Sequence, residues 1–249
     1  TLLDDKGSRR NGQESLRIGT SDVSMRDGNC LVENNTFYRC DGETEIISNK
    51  SGNNTYRGNL FLECNGTLTL RHGNNCTVEG NFFIGNGKKG TGGTRIIGEG
   101  HKVTGNYYEN LTGTNYSAAV CFVKGVPDSP LHRYYQVKNA LVSGNTIVNC
   151  RQGITVGYGN PSDQTPPPVS AAIENNIISL GKKTQEAIVF VTDNGKPKVT
   201  WKDNVIYGGT LTGINSKTVP VTTEKPVIED RTPAWNPVRE NSGTTWKTE

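Results

Sequence analysis

The sequence is poor in apolar residues. They make up 32% of its 249 residues, and the mean hydropathy is −0.59. Such a composition does not build a helical bundle, and no apolar run is long enough to span a membrane. Charge of one sign is also scarce. The net charge of +3 is too small to point to nucleic acid, though it leaves room for a locally basic groove facing an acidic ligand. Low apolar content alone would allow disorder. Balanced charge and regularly placed apolar residues argue against it. Neither an initiating methionine nor a signal peptide precedes Thr1, so the start is expected to be a processing site, a proteolytic cut or an ordering limit.

What is abundant is glycine, with 30 residues, and asparagine, which recurs on a pattern. An apolar residue, two variable residues, Asn, one variable residue and a second apolar residue form the unit. It reads Val32–Asn35–Phe37, Tyr56–Asn59–Phe61, Val78–Asn81–Phe83 and Val103–Asn106–Tyr108. It continues as Val142–Asn145–Ile147, Ile173–Asn176–Ile178 and Trp201–Asn204–Ile206. By difference of residue numbers, the Asn intervals are 24, 22 and 25, then 39, 31 and 28. A repeat of this length with short alternating strands and Gly/Asn turns predicts a right-handed parallel β-helix, one repeat per coil. The asparagines are expected to form an internal ladder. Leucine-rich repeats share the period but need an LxxLxL pattern that is absent, and a propeller needs four strands per longer repeat.

A second strand of each coil can be followed at "LRIG" (16–19), "EIIS" (45–48), "TLRH" (69–72), "RIIG" (95–98), "VCFV" (120–123), "ITV" (154–156) and "IVFV" (188–191). Two Pro-rich inserts, residues 123–136 and 157–170, should be loops gathered at one edge of the binding face. The coils are expected over 1–218, with N-terminal coils missing, and an irregular tail packed on the helix over 219–249. The six cysteines suggest a disulfide-bearing secreted protein. Cys40 and Cys64, however, hold equivalent places in "FYRC" and "FLEC", which predicts a stack of small buried thiols instead. The Asn-x-Ser/Thr triplets, such as that at Asn65, read as turn chemistry.

Polar residues crowd a few coils. Glu43 and Glu45, two apart on a strand, point to one face and repel each other, so a cation is expected near them. Lys50 follows, with Asn11 and Arg17 one coil before, Arg71 and His72 one coil after, and Arg95 and His101 beyond. One bland account is a solvated face of alternating charge. β-Elimination on a uronate polymer accounts for the set as a whole. Removing the C5 proton creates a dianion unless the carboxylate is neutralised, and a hard cation does this. Glu43, Glu45 and the amide oxygen of Asn11 suit calcium. A lysine beside a cation and an arginine has its charged form disfavoured, which suits Lys50 as the base. Arg71 can donate to the departing O4.

The stretches "NGQESLRIG", "GETEIISNKSGNN", "LTLRHGN" and "GGTRIIGEGH" resemble polysaccharide lyase family 6. This family holds alginate lyases and the dermatan-specific chondroitinase B. The resemblance is specific over about residues 11–110, and only the repeat persists beyond. It implies calcium at Asn11, Glu43 and Glu45, Lys50 as base and Arg71 as acid. It further implies substrate contacts from Arg17, His72, Arg95 and His101. "GGTRIIG" is closer to the alginate branch, which makes alginate the expected partner and a secreted or periplasmic site the expected location. Dermatan or chondroitin cleavage, a uronan C5-epimerase, and a non-catalytic polysaccharide-binding β-helix stand as alternatives. Tyr134 and Tyr135 could stack on sugars or anchor their loop, and neither is placed in the site.

Overall fold

The computed structural model describes residues 12–229. Three parallel sheets of eight, seven and seven strands form the sides of a parallel β-helix. The eight-stranded sheet runs Leu16–Gly19, Glu45–Lys50, Gly66–His72, Thr91–Ile96, Val120–Val123, Gln152–Tyr158, Glu186–Phe190 and Thr210–Thr212, each paired with the next. It is called the site sheet below. The other two sheets carry the halves of the asparagine repeat. The second starts with Leu31–Glu33 and Thr55–Arg57, and the third with Thr36–Tyr38 and Leu60–Leu62.

The asparagine ladder explains why the coils stay in register. Asn35 donates its backbone N–H and its Nδ2 to Oδ1 of Asn59, at 3.0 and 3.1 Å. Asn59 does the same to Asn81 at 2.9 Å, Asn81 to Asn106, Asn106 to Asn145, Asn145 to Asn176 and Asn176 to Asn204. From Asn59 onward each Nδ2 also reaches a carbonyl of the preceding coil, as Asn81 does to Tyr56 at 2.9 Å, while that of Asn35 reaches Glu33 in its own coil. Five of these amides are completely buried, so the ladder satisfies polar groups that water cannot reach. Apolar stacks run beside it. Phe37, Phe61, Phe83 and Tyr108 lie ring on ring at 4.8, 4.5 and 4.8 Å, which is the spacing of the coils themselves.

All six cysteines are free thiols. Cys40 and Cys64 stack, with the Cys40 N–H donating to Sγ of Cys64 at 3.4 Å. Residues 213–229 form no strand. No helix among the described residues is long and apolar enough to cross a membrane.

The two Pro-rich inserts dock on one another across the outer face of the site sheet. Arg133 pairs with Asp163, and Nε2 of Gln136 donates to the Pro167 carbonyl at 2.8 Å. The first insert reaches back to the first coils, where Oγ of Ser24 donates to the Leu131 carbonyl at 3.1 Å. This crossing roofs one end of a polar groove.

Candidate active site

The groove has a volume of about 360 Å³. It is lined by Glu14, Ser21, Glu43, Thr44, Glu45, Lys50, Arg71, Arg95 and Tyr134. Four of these lie on strands of the site sheet, Glu45, Lys50, Arg71 and Arg95. Glu43 and Thr44 lie in the bend just before the Glu45–Lys50 strand, although the sequence pattern suggests that Glu43 shares it. Along the Glu45–Lys50 strand, Ile47 points into the core and Lys50 lines the groove. The next strand adds a bulge. Asn49 pairs with Leu70 and Lys50 with His72, so Arg71 is the extra residue, and such a bulge re-aims a side chain. Gly73 ends that strand at φ +80, where a Cβ would sit 2.2 Å from the backbone carbon of Ser51.

Carboxylate oxygens of Glu14, Glu43 and Glu45 lie within 4.8 Å of one another. Neither Glu14 nor Glu43 has an ion-pair partner among the described residues. Burial raises the Glu43 carboxyl above its ordinary range, and Glu14 and Glu45 push it the same way. The backbone N–H groups of Gly12, at 2.8 Å, and Gln13, at 3.4 Å, pull it back. Desolvation therefore outweighs the like-charge repulsion expected from the Glu43–Glu45 spacing. Glu45 is nearly buried and uses Oε1 toward Arg71 at 3.3 Å and Arg95 at 3.8 Å. The donor set fits a hard divalent cation: three convergent carboxylates, two of them without a cationic partner. Asn11 lies outside the described residues.

Lys50 faces the groove and has no carboxylate partner among the described residues. His72 sits beside it in register, 2% exposed, with Nε2 3.4 Å from Oγ of Ser21. Burial, then the charges of Arg71 and Lys50, hold its pKa down at about 4, so the ring is neutral. Arg71 donates Nη1 to the Tyr134 hydroxyl at 2.5 Å and lies 4.4 Å from that ring's centroid. Arg95, buried, donates Nε to the Tyr116 carbonyl at 3.1 Å. Arg17 is exposed and shares the outer column of Ser48, Thr69 and Arg95 without lining the groove.

His101 is the correction. It is wholly buried, its Nδ1 accepting from the Cys76 N–H at 3.1 Å and its Nε2 2.9 Å from the Ile97 carbonyl. Both ring nitrogens are spent on the turn between two coils, and the ring does not line the groove. Four further residues line the groove that the sequence did not place there: Glu14, Ser21, Thr44 and Tyr134. Glu14 carried a signal, three positions after Asn11 in "NGQES". Tyr134 carried none, because its place depends on how the insert folds back.

Fold and groove together define a class: a parallel β-helix with a polar, charge-lined groove on the outer face of one sheet. The family model named Chondroitinase B matches residues 5–244. Among solved structures, the polysaccharide lyase family 6 alginate lyase AlyGC is 40% identical, with a TM-score of 0.79 over 90% of this chain and 30% of that one. A mannuronic acid specific family 6 lyase from human gut microbiota is 32% identical, with a TM-score of 0.78 over 95% of this chain and 54% of that one. An alginate lyase of the family in complex with a trisaccharide is 26% identical, with a TM-score of 0.77 over 87% of this chain and 50% of that one. No curated protein matches. The chain belongs to polysaccharide lyase family 6, and it spans between 30% and 54% of the length of these solved relatives.

Proposed function

We propose that the chain carries the catalytic groove of a calcium-dependent lyase that cleaves alginate by β-elimination outside the cytoplasm. The observation that carries this is the convergence of the Glu14, Glu43 and Glu45 carboxylates on one groove with Lys50 and Arg71. The alginate choice rests on 40% identity to an alginate lyase and on the trisaccharide complex of another.

Glu14, Glu43 and Glu45 would hold the ion, with Asn11 as the further ligand expected from the sequence. When bound, calcium supplies positive charge to neutralise the uronate carboxylate and stabilise the enolate-like species that follows loss of the C5 proton. Lys50 takes that proton at Nζ. Its freedom from a carboxylate partner keeps the amine available. The C4–O4 bond breaks as the C4–C5 double bond forms. Arg71, held in place by Glu45 and Tyr134, donates a charge-assisted hydrogen bond to the departing O4, which takes its proton from water to leave as a hydroxyl. Arg95 adds a second buried positive charge beside Glu45. Neutral His72 packs beside Lys50 and contributes no charge of its own.

The test is ultraviolet absorbance of the new conjugated double bond on alginate, with dermatan sulfate as the second polymer. Absorbance on alginate alone supports the reading. Absorbance on dermatan sulfate alone assigns the chondroitinase B branch, and C5 inversion without absorbance assigns an epimerase. Lys50→Ala should abolish turnover while polymer affinity stays within about tenfold, because a base acts mainly in the transition state.

A further inference from the structure

We infer that the corner leading from the third sheet into the site sheet holds a second saccharide subsite, which takes one carboxylated sugar unit of an acidic polymer. This rests on the polyuronate reading above.

The corner is divided by charge. In the early coils its turns carry Asp41, Glu43 and Glu63, with one cation, Arg39, paired to Glu63 at 2.8 Å. In the later coils they carry Lys88, Lys89, Arg151, Lys182 and Lys183. The nearest acids, Glu109 and Glu186, stand on the flanking strand ends, where they accept from Asn110 at 3.1 Å and Gln152 at 2.8 Å. Lys88 is spoken for by Asp41 at 2.5 Å. Arg151, Lys182 and Lys183 are exposed and have no ion pair among the described residues.

Between Arg151 and Lys182 lies a pocket of about 260 Å³, lined also by Asn110, Asn149, Thr184 and Gln185. It is smaller than the range of about 300–1,000 Å³ typical of drug-sized ligands, which suits a single sugar unit. Its floor is a directional chain of amides across three coils. The Lys182 N–H donates to Oε1 of Gln185 at 2.7 Å, Gln185 Nε2 to Oδ1 of Asn149 at 2.9 Å, and Asn149 Nδ2 to Oδ1 of Asn110 at 2.6 Å. Gln185 is 6% exposed, so the floor is fixed before any ligand arrives. Amides with spare hydrogen-bonding capacity, a free hydroxyl on Thr184 and two unpaired cations match the hydroxyls and the carboxylate of a uronate. Leu111, nearly buried, is the one apolar side chain in this lining. The cleavage groove opens on the same corner at Glu43, so one polymer can follow the corner from the acidic coils to the basic ones.

Binding is measured by titration calorimetry in the Lys50→Ala background, so that polymer survives the experiment. Arg151→Gln with Lys182→Gln should weaken polyuronate binding about fivefold, the scale of two exposed ion pairs. Lys202→Gln with Lys217→Gln, the same charge change elsewhere, should leave it unchanged. Tetrauronate should shift the side-chain amide resonances of Gln185 and Asn149, and a neutral tetrasaccharide should not. Equal weakening by both double variants would mean net charge alone, and would overturn the subsite, as would unshifted amides. If the unsubstituted chain cleaves alginate but the pocket variant binds normally, only the subsite falls. If alginate is not cleaved at all, the lyase reading falls, and the amide shifts with tetrauronate still decide the pocket.

Discussion

The Tyr134 hydroxyl accepts a hydrogen bond of 2.5 Å from Nη1 of Arg71, while its ring lies 4.4 Å from that guanidinium. An insert from a later coil thus fixes the angle of the proposed leaving-group donor. Tyr134→Phe keeps the ring and removes the bond. Its kcat on alginate should fall about tenfold with KM nearly unchanged, since the lost bond has a charged donor. Tyr134→Ala also loses the cation–π contact and should fall further. A rise in KM with normal kcat would show instead that Tyr134 grips the substrate without orienting Arg71.

The two buried histidines make stability depend on acid. Burial lowers both His72 and His101 from 6.5 to about 4. The unfolded chain therefore binds more protons than the native one between those values, and stability rises with pH across that window. Stability should fall as pH drops from about 6.5 toward 4. Nitrogen chemical shifts should report neutral rings for both at pH 6. A charged His101 ring at that pH would contradict its two backbone contacts.

Much of this architecture is legible in sequence because a solenoid repeats its physics. Each coil needs the same Asn at the same bend, so Asn35 to Asn204 mark the turns, and all seven site-sheet strands anticipated from local alternation are present. The eighth, Thr210–Thr212, was not anticipated, being three residues long and beyond the last regular repeat. Alternation places Lys50 outward from the core-facing Ile47, but Glu43 lies in the bend before the strand. Glu45 reaches the same groove only because the register shifts between Glu45 and Ile47 and again between Asn49 and Lys50, which the sequence does not show. His101 could not be judged that way, because a turn histidine in contact with solvent and one bonded on both sides read alike. Tyr134 depends on an insert whose return is set by distant partners, Ser24 and Asp163.

The asparagine ladder should be a graded source of stability. Asn81 is fully buried and makes contacts above and below, so Asn81→Ala leaves several groups unpaired and should cost about 2–3 kcal/mol. Asn204 ends the ladder and is only half-buried, so Asn204→Ala should cost about 1 kcal/mol. Denaturant midpoints would check the order. Equal costs would mean that the ladder acts as one unit.

The acidic cluster makes the sharpest prediction. Glu14 and Glu43 have no cationic partner among the described residues, and burial holds a proton on Glu43 more firmly than on a free carboxyl. Ionising Glu43 therefore costs stability as pH rises through its raised pKa, and a bound cation would offset that cost. Adding calcium should raise the melting temperature more at neutral pH than at acid pH. Chelation should abolish cleavage of alginate, yet shift melting only modestly, because the stacked coils and their amide ladder persist without the ion. Magnesium should rescue poorly, since it demands tight octahedral geometry and sheds water reluctantly. Glu14→Gln separates the cluster seen in the structure from the pair anticipated in the sequence. It should weaken calcium affinity while leaving the Arg71 contact to Glu45 in place. Unchanged calcium affinity in Glu14→Gln would leave Glu43 and Glu45 as the carboxylate ligands. A verified calcium-free protein with full activity would remove the ion from the mechanism and leave Glu45 as an anchor for Arg71 and Arg95.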